Sequence, residues 1–279
     1  MIALPRQNKS INEALSTLAL ELAVDGDVIT VTNALGQNVT TRELTDYRVV
    51  FAPGHMNIVT LPQRKFPMKG ALAEFLWYMT GNSSVEPVLK YLPNWKNFAN
   101  DGVVNSNYGC YWKRSIPWII EELKRDPMSR RAVLNIFQND MAPFGKDTPC
   151  TLSLQFMIRK NQLNLMVRMR SNDVWYGLCI DQFCNSLLHQ LVLRSLQVKY
   201  HELQLGWYSH STGSMHVYED VMSVKTLTDL YSEYQGTFDQ GKRFELPENC
   251  RFENFWDSIE IEQPFAGTDM LEHFKQYMK

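Results

Sequence analysis

LSLQFMIRKNQLNLMVRMR, residues 152–170, is the stretch whose reading decides the fold. Apolar side chains alternate through LSLQFMIRK and again through LNLMVRMR, and the polar pair Asn161-Gln162 splits them, so the segment predicts a β-hairpin. IDQFCNSLLHQLVLRSLQV (180–198) follows and predicts a long, mostly apolar helix that has to be buried. Upstream, SRRAVLNIF (129–137) is strand-like. Residues 115–125, with IPWIIEELKR, predict a helix ended by the Asp126-Pro127 turn. Downstream, ELQLGWYSHSTGSMHVY (202–218) returns to strand, and the tail from Lys242 is mixed.

Further out, SINEALSTLALELAV (10–24) sets Ile11, Leu15, Leu18 and Leu22 on one helical stripe, with Ser10 and Glu13 placed as a capping box. DVITVTN (27–33) alternates like a strand, and ALGQN supplies turn residues before TTREL. PMKGALAEFLWYMTG (67–81) predicts a buried helix, apolar nearly all round, which makes Glu74 inside it unusual. No repeat or flexible linker interrupts the chain. The expectation is an α+β fold, residues 1–279 forming a single domain around a large mixed β-sheet packed by helices.

At 279 residues and 44% hydrophobic, the chain can bury a sizeable core. A net charge of only −2 offers no global field for holding nucleic acid, so an anionic partner would be met by a few local arginines. Five cysteines without metal-ligand spacing suggest reduced thiols rather than a disulfide framework or structural zinc, and no metal is expected. MIALPRQNKS lacks the pattern of a secretory signal, and no stretch is long and apolar enough to span a bilayer. The expectation is a cytoplasmic protein without a membrane partner.

Several residue types suggest chemistry. Cys150, in DTPCTLSLQF, lies at the mouth of a strand, where a thiolate could act as nucleophile, although an arbitrary cysteine is more often an inert buried group. Arg130 and Arg131 after Ser129, and Arg170 before Ser171, could grip a phosphate, whereas any one of them alone is ordinarily solvated. Glu74, Asp173 and Asp181 sit among apolar or aromatic neighbours, where an unpaired charge is costly; such groups are either structural ion pairs or tuned acids and bases. His216 stands apart from the other histidines because Tyr218 follows on the same strand face.

Taken in order, these segments resemble the thymidylate synthase superfamily. AEFLWYMTG resembles the segment that carries the general-base glutamate, here Glu74, and NSNYGCYW the one that carries Tyr108. DPMSRRAVL is similar to the P-x-SRR segment, which implies that Arg130 and Arg131 reach a phosphate across a homodimer interface, with the sheet at that interface. PCTLSLQF resembles the nucleophile segment, with Cys150 and then Gln155. RMRSNDVWYGLCID implies Arg170 and Ser171 as phosphate ligands, with Asp173 on the folate side and Gly177 beside the base. GSMHVYED implies His216 and Tyr218 on the sugar hydroxyl, and Trp95 with Phe98 fall where a folate-facing aromatic wall is expected.

Departures refine the reading. Thr151 stands where the family has histidine, Met169 where it has glutamine, and Phe98 where it has an indole. RTGTGT has no clean counterpart, leaving Arg42 as a candidate, and QPFAGTDMLEHFKQYMK (263–279) does not resemble the closing peptide. Asp181 replaces the asparagine that reads the pyrimidine edge, a pattern similar to the phage deoxycytidylate hydroxymethylase branch. A carboxylate accepts the two N–H donors of an N3-protonated cytosine adduct, whereas an amide suits uracil. The resemblance therefore implies transfer of a one-carbon unit from 5,10-methylenetetrahydrofolate to C5 of dCMP, giving 5-hydroxymethyl-dCMP for DNA modification. Alternatives are a dCMP methyltransferase, a dUMP-using enzyme, and a non-catalytic nucleotide- or RNA-binding homologue.

Overall fold

The computed structural model describes residues 7–33, 35–138, 147–236 and 241–254. Its seven strands form one mixed sheet: β1 (Asn8–Ser10), β2 (Asp27–Thr32), β3 (Asn38–Met56), β4 (Val133–Asn135), β5 (Thr151–Arg159), β6 (Gln162–Asp173) and β7 (Gln204–Tyr218). Their order is β1-β3-β7-β6-β5-β4, with β2 paired to β3 outside that path. β1 runs parallel to β3, while the β2–β3, β3–β7 and β4–β5 pairs are antiparallel. The helices are α1 (Ile11–Asp25), α2 (Met68–Thr80), α3 (Glu86–Leu89), α4 (Gly109–Arg125), α5 (Gly177–Gln197) and α6 (Val224–Gly236). This is the expected α+β architecture.

The chain divides into two compact units. One comprises residues 1–66, 166–183 and 206–244; the other comprises 67–165, 184–205 and 245–279. In the first, α1 begins as the sequence predicts: Ser10 Oγ accepts the Glu13 N–H at 3.0 Å, and Glu13 reaches back to the Lys9 N–H at 2.7 Å. Ile11, Leu15, Leu18 and Leu22 are all buried, and the helix packs on α6, which the sequence reading did not anticipate. β3 is also far longer than TTREL. Asp46 within it has φ 48° and Gly54 has φ 65°, so the chain extends through two residues that break a simple strand pattern.

In the second unit α2 is buried along its whole length from Gly70 to Thr80 and stops at Gly81, whose φ of 61° suits a residue without Cβ. α4 starts at Gly109, several residues before the predicted 115, because Pro117 lies inside the helix rather than opening it. The β5–β6 turn uses Lys160 and Asn161, both with positive φ, one residue earlier than Asn161-Gln162. β4 covers only the centre of SRRAVLNIF. Among the described residues no helix is long and apolar enough to cross a membrane.

Gly109 determines how α2 and α4 meet. A Cβ built there would lie 1.4 Å from the Tyr78 carbonyl oxygen and 2.3 Å from its carbon, so only glycine allows the contact. Tyr78 packs against Tyr108 at a tilt and meets Trp112 edge-on in the same corner, with ring centroids 5.2 and 5.4 Å away. Gly109→Ala should therefore cost about 3 kcal/mol or more, since two backbones must separate. Chemical denaturation that returned wild-type stability for this variant would contradict the contact.

Candidate active site

The candidate residues divide between the two units, and each group has its own internal geometry. In the second unit, Cys150 is half-buried immediately before β5. The neighbouring Thr151 N–H points at the Tyr108 hydroxyl at 3.4 Å. Asp147 ties this approach to NSNYG, accepting the Ser106 N–H at 2.7 Å and the Ser106 hydroxyl. Asn107 then holds the corner by donating to the carbonyls of Trp77 at 3.1 Å and Asn82 at 2.7 Å. Of the other cysteines, burial pushes the thiols of Cys179 up to about 11 and Cys250 up to about 12, which makes them poor nucleophiles. Cys184 is also buried, while Cys110 is half-buried and donates to the Gly81 carbonyl.

Glu74 projects from α2 into this unit. It is 6% exposed and accepts the Tyr78 hydroxyl at 2.7 Å and the Trp95 indole N–H at 3.2 Å. Burial drives its carboxyl above the ordinary range, and the two donors only partly offset that. Trp95 therefore orients the carboxylate besides presenting an aromatic face. It meets Phe98 edge-on at 6.0 Å, and Phe98 remains substantially exposed.

Arg130 and Arg131 are exposed on the loop before β4. The loop is anchored by Glu122, which the sequence reading missed. The Glu122 side chain is only 2% exposed, and its Oε1 accepts the Ser129 hydroxyl at 2.7 Å and Arg131 Nε at 2.9 Å. The Ser129 hydroxyl and the neighbouring Arg125 and Arg131 hold its carboxyl down at about 2, so it stays charged across the physiological range. Gln155 donates to the Arg130 carbonyl at 3.0 Å, fastening β5 to the same loop.

In the first unit, Arg170 is exposed and Ser171 half-buried at the end of β6. Asp173 turns back on its own chain, with Oδ1 accepting the Tyr176 N–H while Oδ2 is buried without a hydrogen-bond partner. Burial raises its carboxyl, and the Tyr176 N–H, then His216 and the Gly177 and Trp175 N–H groups, oppose that shift. Gly177 opens α5, and Asp181 follows one turn later with Oδ2 accepting the Asn172 amide at 2.7 Å. His216 and Tyr218 meet edge-on on one strand face at 5.5 Å, as their spacing suggested. Arg42 is held by Glu219 at 2.8 Å and by the Gly26 carbonyl at 3.0 Å. His55 and His210 are buried and pushed down to about 4 and about 3, so both are neutral near physiological pH. Residues 263–279 lie outside the described residues.

Residues 30–235 match the thymidylate synthase family. The chain belongs to that family. Its relatives include proteins named deoxyuridylate hydroxymethyltransferase from Bacillus phage SP01 and Pseudomonas phage M6. The first is 31% identical over 58% of this chain and 46% of its own length, the second 34% identical over 57% and 47%. A thymidylate synthase of Fusobacterium nucleatum is 31% identical over 57% of this chain and 60% of its own length. The chain thus spans about half the length of the phage relatives and somewhat more of the bacterial one. A thermostable thymidylate synthase A from Bacillus subtilis has the same fold, with TM-score 0.68 and 22% identity over 89% of this chain and 93% of the other.

The Glu74 environment has a direct consequence for stability. Its folded carboxyl binds a proton more tightly than the unfolded one, whose ordinary value is 4.5. Wild-type stability should therefore fall as pH rises through the window that begins there. Glu74→Gln removes the buried charge; its amide oxygen still accepts from Trp95, and its amide N–H can donate to the Tyr78 hydroxyl, which in wild type is itself the donor. The variant should be more stable than wild type above neutrality, by roughly 1.4 kcal/mol per pH unit of elevation. The difference should vanish in acid; thermal melts across pH showing a less stable variant above neutrality would contradict this.

Proposed function

We propose that this chain transfers a one-carbon unit to C5 of deoxycytidylate, with hydroxymethyl as the product. The observation that carries the reading is Asp181, a carboxylate at the position where the family resemblance places the reader of the pyrimidine edge. A carboxylate offers acceptors only, matching the N3–H and N4–H of a cytosine adduct, whereas uracil presents an O4 that requires a donor. A mismatched buried edge costs about 1–3 kcal/mol. That is enough to separate the two bases by an order of magnitude or more.

Methylenetetrahydrofolate would supply the one-carbon unit, with Trp95 and Phe98 as the aromatic surface against it and Asp173 and Gly177 on its side of the base. Cys150 is the nucleophile: its sulfur adds to C6 and makes C5 nucleophilic, which cytosine by itself is not. Tyr108, whose hydroxyl lies against the Thr151 N–H, keeps the nucleophile segment in place. Glu74 holds a proton readily, as a group that moves a proton and orders the attacking water must. Arg130, Arg131, Arg170 and Ser171 suit the phosphate, with Gln155 bracing the first pair, and His216 and Tyr218 suit the sugar. The exposure of Arg130 and Arg131 supports a homodimer in which they serve the neighbouring copy, with the sheet at the interface.

Deoxyuridylate is the second reading, and the names of the two phage relatives favour it. Asp181→Asn separates the two. The variant should lose dCMP turnover and gain dUMP turnover, shifting the kcat/KM ratio by at least about tenfold per 1.4 kcal/mol of altered pairing. C5 tritium release with both nucleotides is the measurement. A wild type that already prefers dUMP, or a ratio untouched by the substitution, would remove Asp181 from base reading.

A further inference from the structure

Asn172 spends its hydrogen bonds in an unusual way. It is 3% exposed on β6, and its single amide nitrogen donates both to Asp181 Oδ2 at 2.7 Å and to the Met169 thioether at 2.9 Å. Its carbonyl oxygen is buried with no hydrogen-bond partner. An orphaned buried carbonyl is costly, and rotating the amide would not relieve it. Rotation would set that oxygen against the carboxylate and the sulfur, replacing two donor–acceptor contacts with acceptor against acceptor. The Asp181 contact therefore fixes which way the amide faces.

Gly177 completes the arrangement. A Cβ there would lie 3.2 Å from Asn172 Oδ1 and 3.4 Å from Asp181 Oδ2, tighter than a packed pair readily accepts at the first position. The amide and the carboxylate thus lie together over the one residue at the start of α5 that has no side chain. The Asn172 N–H on Oδ2 constrains the plane of the Asp181 carboxyl group.

We infer that Asn172 is a positioning residue for base selection, aiming the Asp181 carboxylate. The inference rests on the reading of Asp181 as the group that meets the pyrimidine edge. Without the Asn172 N–H, the Asp181 carboxyl group can rotate away from the orientation in which it accepts from a cytosine edge. Asn172 would then act on which nucleotide is used more than on how fast either reacts.

The test compares kcat/KM for dCMP and dUMP, read as C5 tritium release with methylenetetrahydrofolate, in wild type, Asn172→Ala, Asn172→Asp and Asp181→Asn. Asn172→Ala removes the donor. Asn172→Asp keeps the shape but opposes two carboxyl groups, which must share a proton. Both should lower the dCMP-to-dUMP ratio by about tenfold or more, with dUMP turnover falling less than dCMP turnover. If Asn172→Ala fails to fold, the isosteric Asn172→Asp carries the comparison. Equal loss with both nucleotides would mark a merely structural residue and overturn the inference. A ratio unchanged at Asn172 but shifted by Asp181→Asn would overturn the inference and leave the base reading intact. A ratio unchanged by Asp181→Asn would overturn both.

Discussion

The backbone of Gly109 lies against the carbonyl of Tyr78, and the unit that bears Cys150 depends on that contact. Two helices meet there with no side chain between them. Tyr108, immediately before the contact, is thereby fixed beside Tyr78, with its hydroxyl near the Thr151 N–H. Tyr78 in turn donates to Glu74 one helical turn earlier. One close approach thus sets the tyrosine, the glutamate and the chain that bears Cys150, because rigid helices carry all the groups except the thiol.

Electrostatics around that contact divide the carboxylates by task. Glu74 is buried with neutral donors, so burial dominates and its proton is held more tightly. Glu122 is covered too, but a serine hydroxyl and two guanidinium groups meet it, so it stays charged and anchors the arginine loop. Exposed arginine pairs contribute little to stability. Their value here is geometric, since Arg131 and the Ser129 hydroxyl share one carboxylate oxygen.

Much of this was legible in the sequence where a local signal was strong. Alternation in β5 and β6 and the capping box of α1 needed no tertiary information, and Glu74 was visible as a charge within an apolar helix. β3 was read only at its start, because Asp46 and the Pro53-Gly54 pair interrupt its pattern. α6 escaped because only Leu227 and Leu230 face the core within it. Glu122 lies in EELKR, which has the composition of a solvated helix face; only the fold brings Ser129 and Arg131 to it. Asn172 was hidden for a different reason: a polar residue in a polar run gives no sign that its amide will be buried against Asp181.

Belonging to the thymidylate synthase family leaves open which base and which product a member makes, and here both turn on a few side chains. In the proposed reading, Asp181 meets a cytosine edge and Glu74 manages water. The most direct measurement is mass spectrometry of the product formed from an equal mixture of dCMP and dUMP with methylenetetrahydrofolate, with dihydrofolate followed in parallel. The account predicts 5-hydroxymethyl-dCMP as the main product, with no dihydrofolate formed. Hydroxymethyl-dUMP as the main product, or a methylated nucleotide accompanied by dihydrofolate, would contradict it.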